Sequence, residues 1–471
     1  MKWRPIACIL CKGTTDERSK PCNIGTDSMK PKPQSRDDFE LFQAHFDQIL
    51  NRDHALVQLA DKIDWSRFDV AFANSYSQDM GAPAKAVRLM VGLHYLKYTF
   101  NESDESVVDR WVENVYWQYF CGFTHMQHEA PIDPSSMSRW RSRVGAERLE
   151  LLLTETVDLA VREKQLPKRD LKQVTIDTTV QEKNVTYPTD SKLLYTAICK
   201  LGQAAGDRGI RLRQTYIRVG KRVSIKASRY AHAKQFKRMR RSLRKLRTYV
   251  GRMIRDIERK VIEKDDDLVA LLAKAERLRN QQPKDSNKLY SWHEPEVKCI
   301  SKGKARQRYE FGQKVALATT HRSNWIVASA LMEGNPYDGH TLCETLTTVE
   351  RVTGVAPTDA YVDKGYRGHG YTGSTCVHLA GSRIKNATRS ERRRRRRRSA
   401  IEPKIGHLKS DHRMNRCFLA GLRGDATNAV LSAAGANMRK LLRRFVFALI
   451  RWLTGAFVPF NARLIPLAHA A

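Results

Sequence analysis

The sequence predicts an α/β protein whose sheet is interrupted by a long helical insertion and preceded by an all-α region. Residues 173–180 alternate between apolar and polar side chains, which is the pattern of a half-buried strand. Strand patterns return only after about residue 306, as a predicted hairpin (309–320 and 324–332) and a last strand (377–384). Between these stretches apolar residues recur every three or four positions and predict a hairpin of two helices, a long one (236–261) and a second one (268–278). The same helical pattern is present over residues 39–152. We therefore expect a sheet assembled from two separated parts of the chain.

Composition points to a polyanionic partner. The 471 residues include 84 Lys and Arg against 50 Asp and Glu, a formal net charge of +34, and nucleic acid is the commonest partner of such a chain. Nine cysteines without a paired framework favour a reducing compartment, so we expect a cytoplasmic protein. Residues 1–20 lack the apolar core of a signal peptide. The apolar run 445–460 contains Arg451 and is too short to span a bilayer, so no membrane partner is expected.

Three helices are predicted in the second half of the N-terminal region. The first is amphipathic, and a second begins after Ser103, which suits an N-cap because Asp104 and Glu105 follow in the first turn. A third begins at Asp133 and Pro134, an N-cap followed by a proline at the first helical position. The apolar positions of the first helix are Leu89, Leu93, Leu96 and Phe100.

The third of these helices carries arginines. We expect Arg139 and Arg143, four residues apart, to share its outward face and Arg141 to lie on a flank. Short helices that end in an arginine-bearing one suit a helix-turn-helix reader of the DNA major groove. An ordinary solvated, charged helix face explains the same pattern, and the residues alone leave both readings open. The inward positions are Met137, Trp140 and Val144.

Two aspartates are candidates for a cleft in the sheet. Asp177 lies on the polar side of the predicted strand 173–180, so the strand would point its carboxylate away from the apolar face. Asp363 lies at the carboxyl end of a second predicted strand, 360–365, where open α/β sheets place their sites. The alternative for each is an ordinary surface acid. Asp190 is a weaker rival to Asp177.

A third acid follows a block of arginines. Residues 392–398 are all arginine, and Glu402 comes four residues later. If this stretch is helical, Glu402 and Lys409 project within about 20° of each other, beside an apolar stripe. The alternative is a capping box in which Ser399 is the N-cap and Glu402 its partner three residues on. The stripe consists of Ile401, Ile405 and Leu408.

The spacing Arg398-x3-Glu402-x6-Lys409 resembles the signature of DDE transposases of the insertion-sequence four and five groups. In that family the glutamate is the third catalytic acid, and Asp177 and Asp363 match the first and second. The family pattern also has a tyrosine three residues before the arginine, where this chain has Arg395. The resemblance covers roughly residues 35–445. It includes N-terminal blocks at residues 88–93, 116–122 and 138–141.

The resemblance implies a ribonuclease H-like catalytic core with a helical insertion, preceded by an all-α N-terminal DNA-binding domain. It also implies that Asp177, Asp363 and Glu402 bind two Mg²⁺ ions, with Mn²⁺ as an alternative, while Arg398 and Lys409 hold phosphates. The expected partners are double-stranded DNA, as terminal inverted repeats and as target, and a second copy of the chain in a homodimer. The expected reaction is cleavage of the element's ends and their joining to target DNA, in the bacterial cytoplasm at the nucleoid.

Two other functions fit the same residues. One is a transposase-derived protein that binds DNA without catalysis, and the other is a metal-dependent nuclease without strand transfer. The predicted organisation is a disordered tail (1–35), a helical DNA-binding domain (36–165), the first part of the core (166–193), a helical insertion (194–305), the remainder of the core (306–445) and a C-terminal tail (446–471).

Overall fold

A computed structural model of the chain describes residues 44–76, 84–261, 265–282, 284–301, 308–381 and 388–453. The predicted tail at 1–35 lies outside these ranges, as does most of the predicted tail at 446–471. Residue 445 is not the end of an element, because the last helix continues to Leu453. No helix within the described ranges is both long enough and apolar enough to cross a bilayer.

The N-terminal region is helical, as predicted. Ser103 caps the fifth helix together with Ser106 in a capping box, and Asp133 caps the seventh, whose first residue is Pro134. The described residues of this region form eight α-helices: α1 (Phe46–Ile49), α2 (Ala55–Lys62), α3 (Trp65–Phe72), α4 (Val87–Phe100), α5 (Asp104–Glu113), α6 (Val115–Phe120), α7 (Pro134–Val144) and α8 (Ala146–Arg162).

Helix α7 differs from the prediction at Arg141. Met137, Trp140 and Val144 are buried as expected, but Arg141 is buried beside them rather than lying on a flank. Its guanidinium donates two hydrogen bonds, of 2.8 and 2.7 Å, to the carboxylate of Asp104 on α5. Residues 121–133 separate α6 from α7, which is much longer than the turn of a helix-turn-helix motif. The connection between α6 and α7 is therefore not the short turn that a helix-turn-helix motif requires. The helix predicted to begin at Asp133 and Pro134 is present as α7.

Seven strands form one sheet in the described part of the chain. The central strand β1 pairs antiparallel with β3 along residues 174–182, and β3 pairs antiparallel with β2 and β4. On its other side β1 runs parallel to β5, which runs parallel to β6. The strands are β1 (Gln173–Lys183), β2 (Lys298–Ser301), β3 (Tyr309–Thr320), β4 (Ile326–Met332), β5 (Asp359–Val362), β6 (Cys376–Leu379) and β7 (Arg416–Cys417).

This mixed α/β arrangement is consistent with a ribonuclease H-like core. The predicted β3–β4 hairpin and the strand before Asp363 are confirmed. The last predicted strand, expected over 377–384, is shorter and ends at Leu379. Four helices complete this part of the fold: α13 (Leu342–Thr353), α14 (Arg389–Arg397), α15 (Ile401–Asp411) and α16 (Gly421–Leu453).

The segment between β1 and β2 is helical and has its own hydrophobic core. The sequence predicted a two-helix hairpin, but the described part of this segment has four α-helices: α9 (Asp190–Asp207), α10 (Ile217–His232), α11 (Phe236–Lys260) and α12 (Asp266–Asn280). Leucine, isoleucine and alanine side chains of α9, α11 and α12 form a cluster separate from that of the sheet. The long helix and its partner lie where the prediction placed them, and α9 and α10 were missed.

Helix α16 joins the N-terminal helices to the sheet. Asn437 donates hydrogen bonds to Thr156 on α8 (3.1 Å) and to the carbonyl oxygen of Ile326 on β4 (2.9 Å). A single core cluster contains side chains from the N-terminal helices, the sheet and α16. Gly435 lets α16 approach α4 closely, because a Cβ atom there would lie 2.6 Å from the backbone carbon of Tyr98.

We expect Gly435→Ala to destabilise the protein, because the added methyl group would force α16 away from the backbone of α4. Overpacking of this kind costs about 1–3 kcal/mol. The matched control is Gly206→Ala at an exposed position of α9 with open space around it, where alanine should stabilise the helix by about 0.5–1 kcal/mol. Urea unfolding of both variants measures the difference. An unfolding midpoint for Gly435→Ala at or above that of wild type would contradict this packing.

Candidate active site

Side chains from three separate elements meet at one guanidinium group. Nη1 of Arg398 lies 3.6 Å from an oxygen of Asp177 and 3.8 Å from an oxygen of Asp363. Nη2 of the same side chain lies 2.6 Å from an oxygen of Glu402. The structure therefore brings the three predicted acids to one place. The four side chains differ in exposure, at 13% for Arg398, 21% for Asp177, 50% for Asp363 and 58% for Glu402.

Asp177 lies where the sheet opens. On one side it is opposite Leu317 of β3. On the other side β1 pairs with β5 only over residues 173–175 and with β7 only over residues 182–183. The parallel neighbours thus leave a gap beside Asp177. Its carboxylate accepts a hydrogen bond from the backbone N–H of Thr178 (2.8 Å), which fixes its direction.

Asp363 directly follows β5, on the side of β1 where the strands separate. It is the N-cap of a short 3₁₀ turn, Lys364–Tyr366, and half of its side chain is exposed. Tyr366 is buried beside it. Burial, followed by the negative charge of Asp177, raises the pKa of the Tyr366 hydroxyl well above its ordinary value, so this group stays protonated. Tyr366 therefore adds no charge to the site.

Glu402 lies in the first turn of α15, and the capping-box alternative is wrong. Ser399 precedes the helix, but its hydroxyl donates to the carbonyl oxygen of Arg396 (3.0 Å) instead of capping α15. Pro403 follows in the first turn, where a proline is tolerated. Because α15 is continuous from Ile401 to Asp411, Lys409 projects within about 20° of Glu402.

A fourth acid, which was not predicted from the sequence, supports the strand that carries Asp177. Asp338 accepts hydrogen bonds from the hydroxyl of Thr178 and from Nζ of Lys314, both 2.9 Å. Lys314 is largely buried and also donates to the carbonyl oxygen of Pro336 (2.6 Å). These bonds connect β1, β3 and the segment before α13. The sequence does show Asp338 just ahead of a predicted helix. Its partners could not be predicted, because Thr178 and Lys314 come together only when β1 and β3 pair.

The remaining predicted residues lie away from the three acids. Asp190 begins α9 and lies 4.0 Å from Nζ of Lys288, so it does not compete with Asp177. Arg139 and Arg143 are exposed on α7, as predicted. Arg139 donates to the hydroxyl of Ser136 (3.0 Å), and the guanidinium of Arg143 lies 5.8 Å from the centre of the Tyr76 ring.

The three acids surround Arg398 and do not form a compact set of metal ligands. In the described part of the chain, the group whose potential ligand atoms all lie within 4.8 Å of one another is Asp359, Cys376 and His378, on the adjacent strands β5 and β6. There Nε2 of His378 lies 2.7 Å from an oxygen of Asp359, so this pair is already hydrogen-bonded. The negative charge that most needs a cation is at Asp177, Asp363 and Glu402.

Comparisons with known families match two separate segments of the chain. Residues 44–143 match the family described as Transposase domain (DUF772), a segment that contains Arg139 and Arg143. Residues 347–442 match the Transposase DDE domain, a segment that contains Asp363, Glu402 and Arg398. Asp177 precedes the second match.

A relative from Rhizobium meliloti, described as "Uncharacterized protein ORF8 in nfe locus", is 50% identical over 208 residues. The aligned region covers 44% of this chain and 100% of that protein. The comparison with solved structures gives no match. With both transposase segments present in order, the chain belongs to the DDE transposases.

Proposed function

We propose that this protein is the transposase of an insertion sequence of the four/five type. It would bind the terminal inverted repeats of its element, cleave the DNA at the ends and join the freed 3′-hydroxyl groups to target DNA. The observation that carries the proposal is the meeting of Asp177, Asp363 and Glu402 at Arg398. Phosphoryl transfer of this kind needs clustered carboxylates in a cleft that a DNA strand can enter.

The donor set fits a hard divalent cation. All three acids offer carboxylate oxygens, the ligands that Mg²⁺ prefers, and Mn²⁺ accepts the same set. Two of them are at least half exposed, so their oxygens are open to solvent and to a substrate. Two bound ions would supply Lewis acidity at the attacking and leaving oxygens of the phosphate. The residues that would hold them are Asp177, Asp363 and Glu402.

The basic residues have separate roles in this proposal. Arg398 offsets part of the negative charge of the three carboxylates in the free protein, and its fork of N–H donors also suits a phosphate of the bound strand. Lys409 lies on the same side of α15 as Glu402 and would contact a second phosphate. Asp338, through Thr178 and Lys314, would keep β1 in position while the charges at the site change.

We further propose a division of labour along the chain. Residues 36–165, with Arg139 and Arg143 on the exposed face of α7, would bind the element's ends. Residues 166–193 and 306–445 would form the catalytic core, and residues 194–305 an insertion whose exposed basic helix α11 contacts phosphates. A homodimer on DNA would present two cores to two ends. A nuclease without strand transfer would need the same acids, so the assay must score joined products as well as cleaved ones.

The first test is Glu402→Gln, which removes one negative charge with almost no change in shape. An amide is a poor ligand for a divalent cation. We therefore expect cleavage and joining in Mg²⁺ to fall by about two orders of magnitude or more, while DNA binding persists and stability changes by under about 1 kcal/mol. Asp177→Asn and Asp363→Asn should behave alike.

The control is Glu391→Gln on α14. Glu391 caps its helix by accepting a hydrogen bond from the backbone N–H of Thr388, and that contact does not involve Arg398. Gels that resolve cleaved and joined DNA, run beside a binding assay at fixed salt, give the comparison. Normal cleavage by Glu402→Gln would refute the proposed mechanism.

Arg398→Gln removes the shared partner of the three acids, so their mutual repulsion should lower the melting temperature in EDTA. The free energy of unfolding should fall by more than the roughly 1 kcal/mol that a surface ion pair contributes and by less than the roughly 3–5 kcal/mol lost when a buried pair is broken. The value is intermediate because the three acids are partly exposed. Mg²⁺ should raise the melting temperature of this variant more than that of wild type. Arg396→Gln is the control. Equal melting temperatures of the two variants in EDTA would show that Arg398 does not hold the acids together.

The double variant Arg139→Ala, Arg143→Ala tests recognition by α7. If both side chains contact bases, binding to the element's ends should weaken more than binding to random DNA, by about 1–3 kcal/mol per contact. Gel-shift titrations on both DNAs, at one salt concentration, measure the difference. An equal loss on the two DNAs would assign these arginines to phosphates, and unchanged binding would assign them to a solvated face.

A further inference from the structure

The arginine-rich helix α14 presents two chemically different faces. It runs from Arg389 to Arg397 and is capped by Thr388 and Glu391 in a capping box. On its inner side, Arg395 donates to the carbonyl oxygen of Leu379 at the end of β6 (3.3 Å). Arg397 donates through Nε to the carbonyl oxygen of His321 (2.8 Å) and through Nη2 to that of Arg322. These bonds fix the helix to the edge of the core.

The outer side carries four arginines in one stripe: Arg389, Arg392, Arg393 and Arg396. Their spacing of i, i+3, i+4 and i+7 places them on one face of a helix. All four are exposed, and together with Ser390 they line an open groove of about 780 Å³. Among the residues that the structure describes, none of the four has an ion pair with a carboxylate. We call these four residues the outer arginine face.

Four like charges at this spacing repel one another and weaken the free helix. The helix nevertheless has a regular cap and a defined length, because its inner side is anchored. An anionic partner with several charges along a line would relieve this repulsion. Nine helical residues span about 13 Å, and one DNA strand carries a phosphate about every 3.4 Å along the axis. The outer arginine face thus has the length to contact up to about four phosphates.

The position of the outer arginine face indicates which part of a DNA substrate it would bind. Arg398, the residue that contacts the three acids, follows the last residue of α14. A strand that lies along the outer arginine face therefore continues towards Asp177, Asp363 and Glu402. Guanidinium groups on phosphates read no sequence. This arrangement suits the part of the substrate next to the reacting bond, where an element's own end and any target sequence must both be accepted.

We propose that the outer arginine face is a sequence-independent binding surface for the DNA backbone that leads into the catalytic site. The inference rests on the proposed function and adds to it the surface that holds the strand beside the acids. Base-specific recognition belongs elsewhere, so this surface contributes equally to binding of the element's ends and of unrelated DNA.

The test is the salt dependence of DNA binding by a variant with Gln at positions 389, 392, 393 and 396. Each phosphate contact contributes about 0.9 to the slope of log binding constant against log salt concentration. We expect the slope on a random-sequence duplex to fall by about 3.6 when all four contacts are lost. The same four positions changed to Lys should keep most of the slope, because the charge remains.

A matched control removes four positive charges from another exposed helix. Lys221, Arg222, Lys226 and Arg229 of α10 are exposed and have no ion pair in the described part of the chain. Changing all four to Gln should alter the slope by less than the value of about 0.9 that one phosphate contact contributes. If the fourfold variant at α14 does not fold, the pair Arg389→Gln, Arg396→Gln should still lower the slope by about 1.8.

The outcomes separate this inference from the proposed function. If the slope falls equally for the α10 and α14 variants, the effect is one of general charge, and the proposed binding surface is wrong. An unchanged slope for the α14 variant would also show that it is wrong. Tighter binding of an RNA duplex than of a DNA duplex by wild type would overturn the assignment to DNA. A selective fall in slope with no cleavage by wild type would leave the surface standing and remove the proposed catalysis. Cleavage by wild type together with an unchanged slope for the α14 variant would support the proposed function and contradict the proposed surface.

Discussion

Electrostatic pairing between one arginine and three carboxylates determines the arrangement of the candidate active site. Asp177, Asp363 and Glu402 come from a strand, a strand end and a helix that are far apart in sequence. Without a cation the carboxylates repel one another, so packing alone would have to hold them together. Arg398 lies within 4 Å of all three and is itself mostly buried. In the free protein it therefore offsets part of the negative charge of the cluster.

The same solution recurs where other elements must be joined. Asp104 receives hydrogen bonds from Arg141 and Lys97, which ties together α4, α5 and α7. Burial, with the nearby charge of Arg141, lowers the pKa of Lys97 to about 8. Buried Lys183 at the end of β1 lies 3.0 Å from Asp425 on α16 and 3.2 Å from Glu294, which follows α12 near the end of the insertion. Each of these charges would be costly if left alone, so each contact fixes the relative position of its elements.

The sequence predicted those features that depend on local periodicity. Alternation placed Asp177 on a strand, and the stripe beside Glu402 predicted a helix that is present. Arg141 shows what local patterns miss. It occupies an apolar position of the stripe formed by Met137, Trp140 and Val144, and it can be buried only because Asp104 is available from another helix. Asp338 was missed for the same reason, since its partners Thr178 and Lys314 meet it only after β1 and β3 have paired.

The excess of positive charge opposes the compact state of this chain. The 84 Lys and Arg outnumber the 50 Asp and Glu, so one-to-one pairing would leave 34 cations without an acidic partner. The unpaired cations raise the free energy of the compact state through self-repulsion. A ligand that binds the folded chain and neutralises them stabilises it by mass action. A polyanion such as the DNA of the proposed function would therefore stabilise the folded chain through these charges, most directly where α14 leads towards Asp177, Asp363 and Glu402.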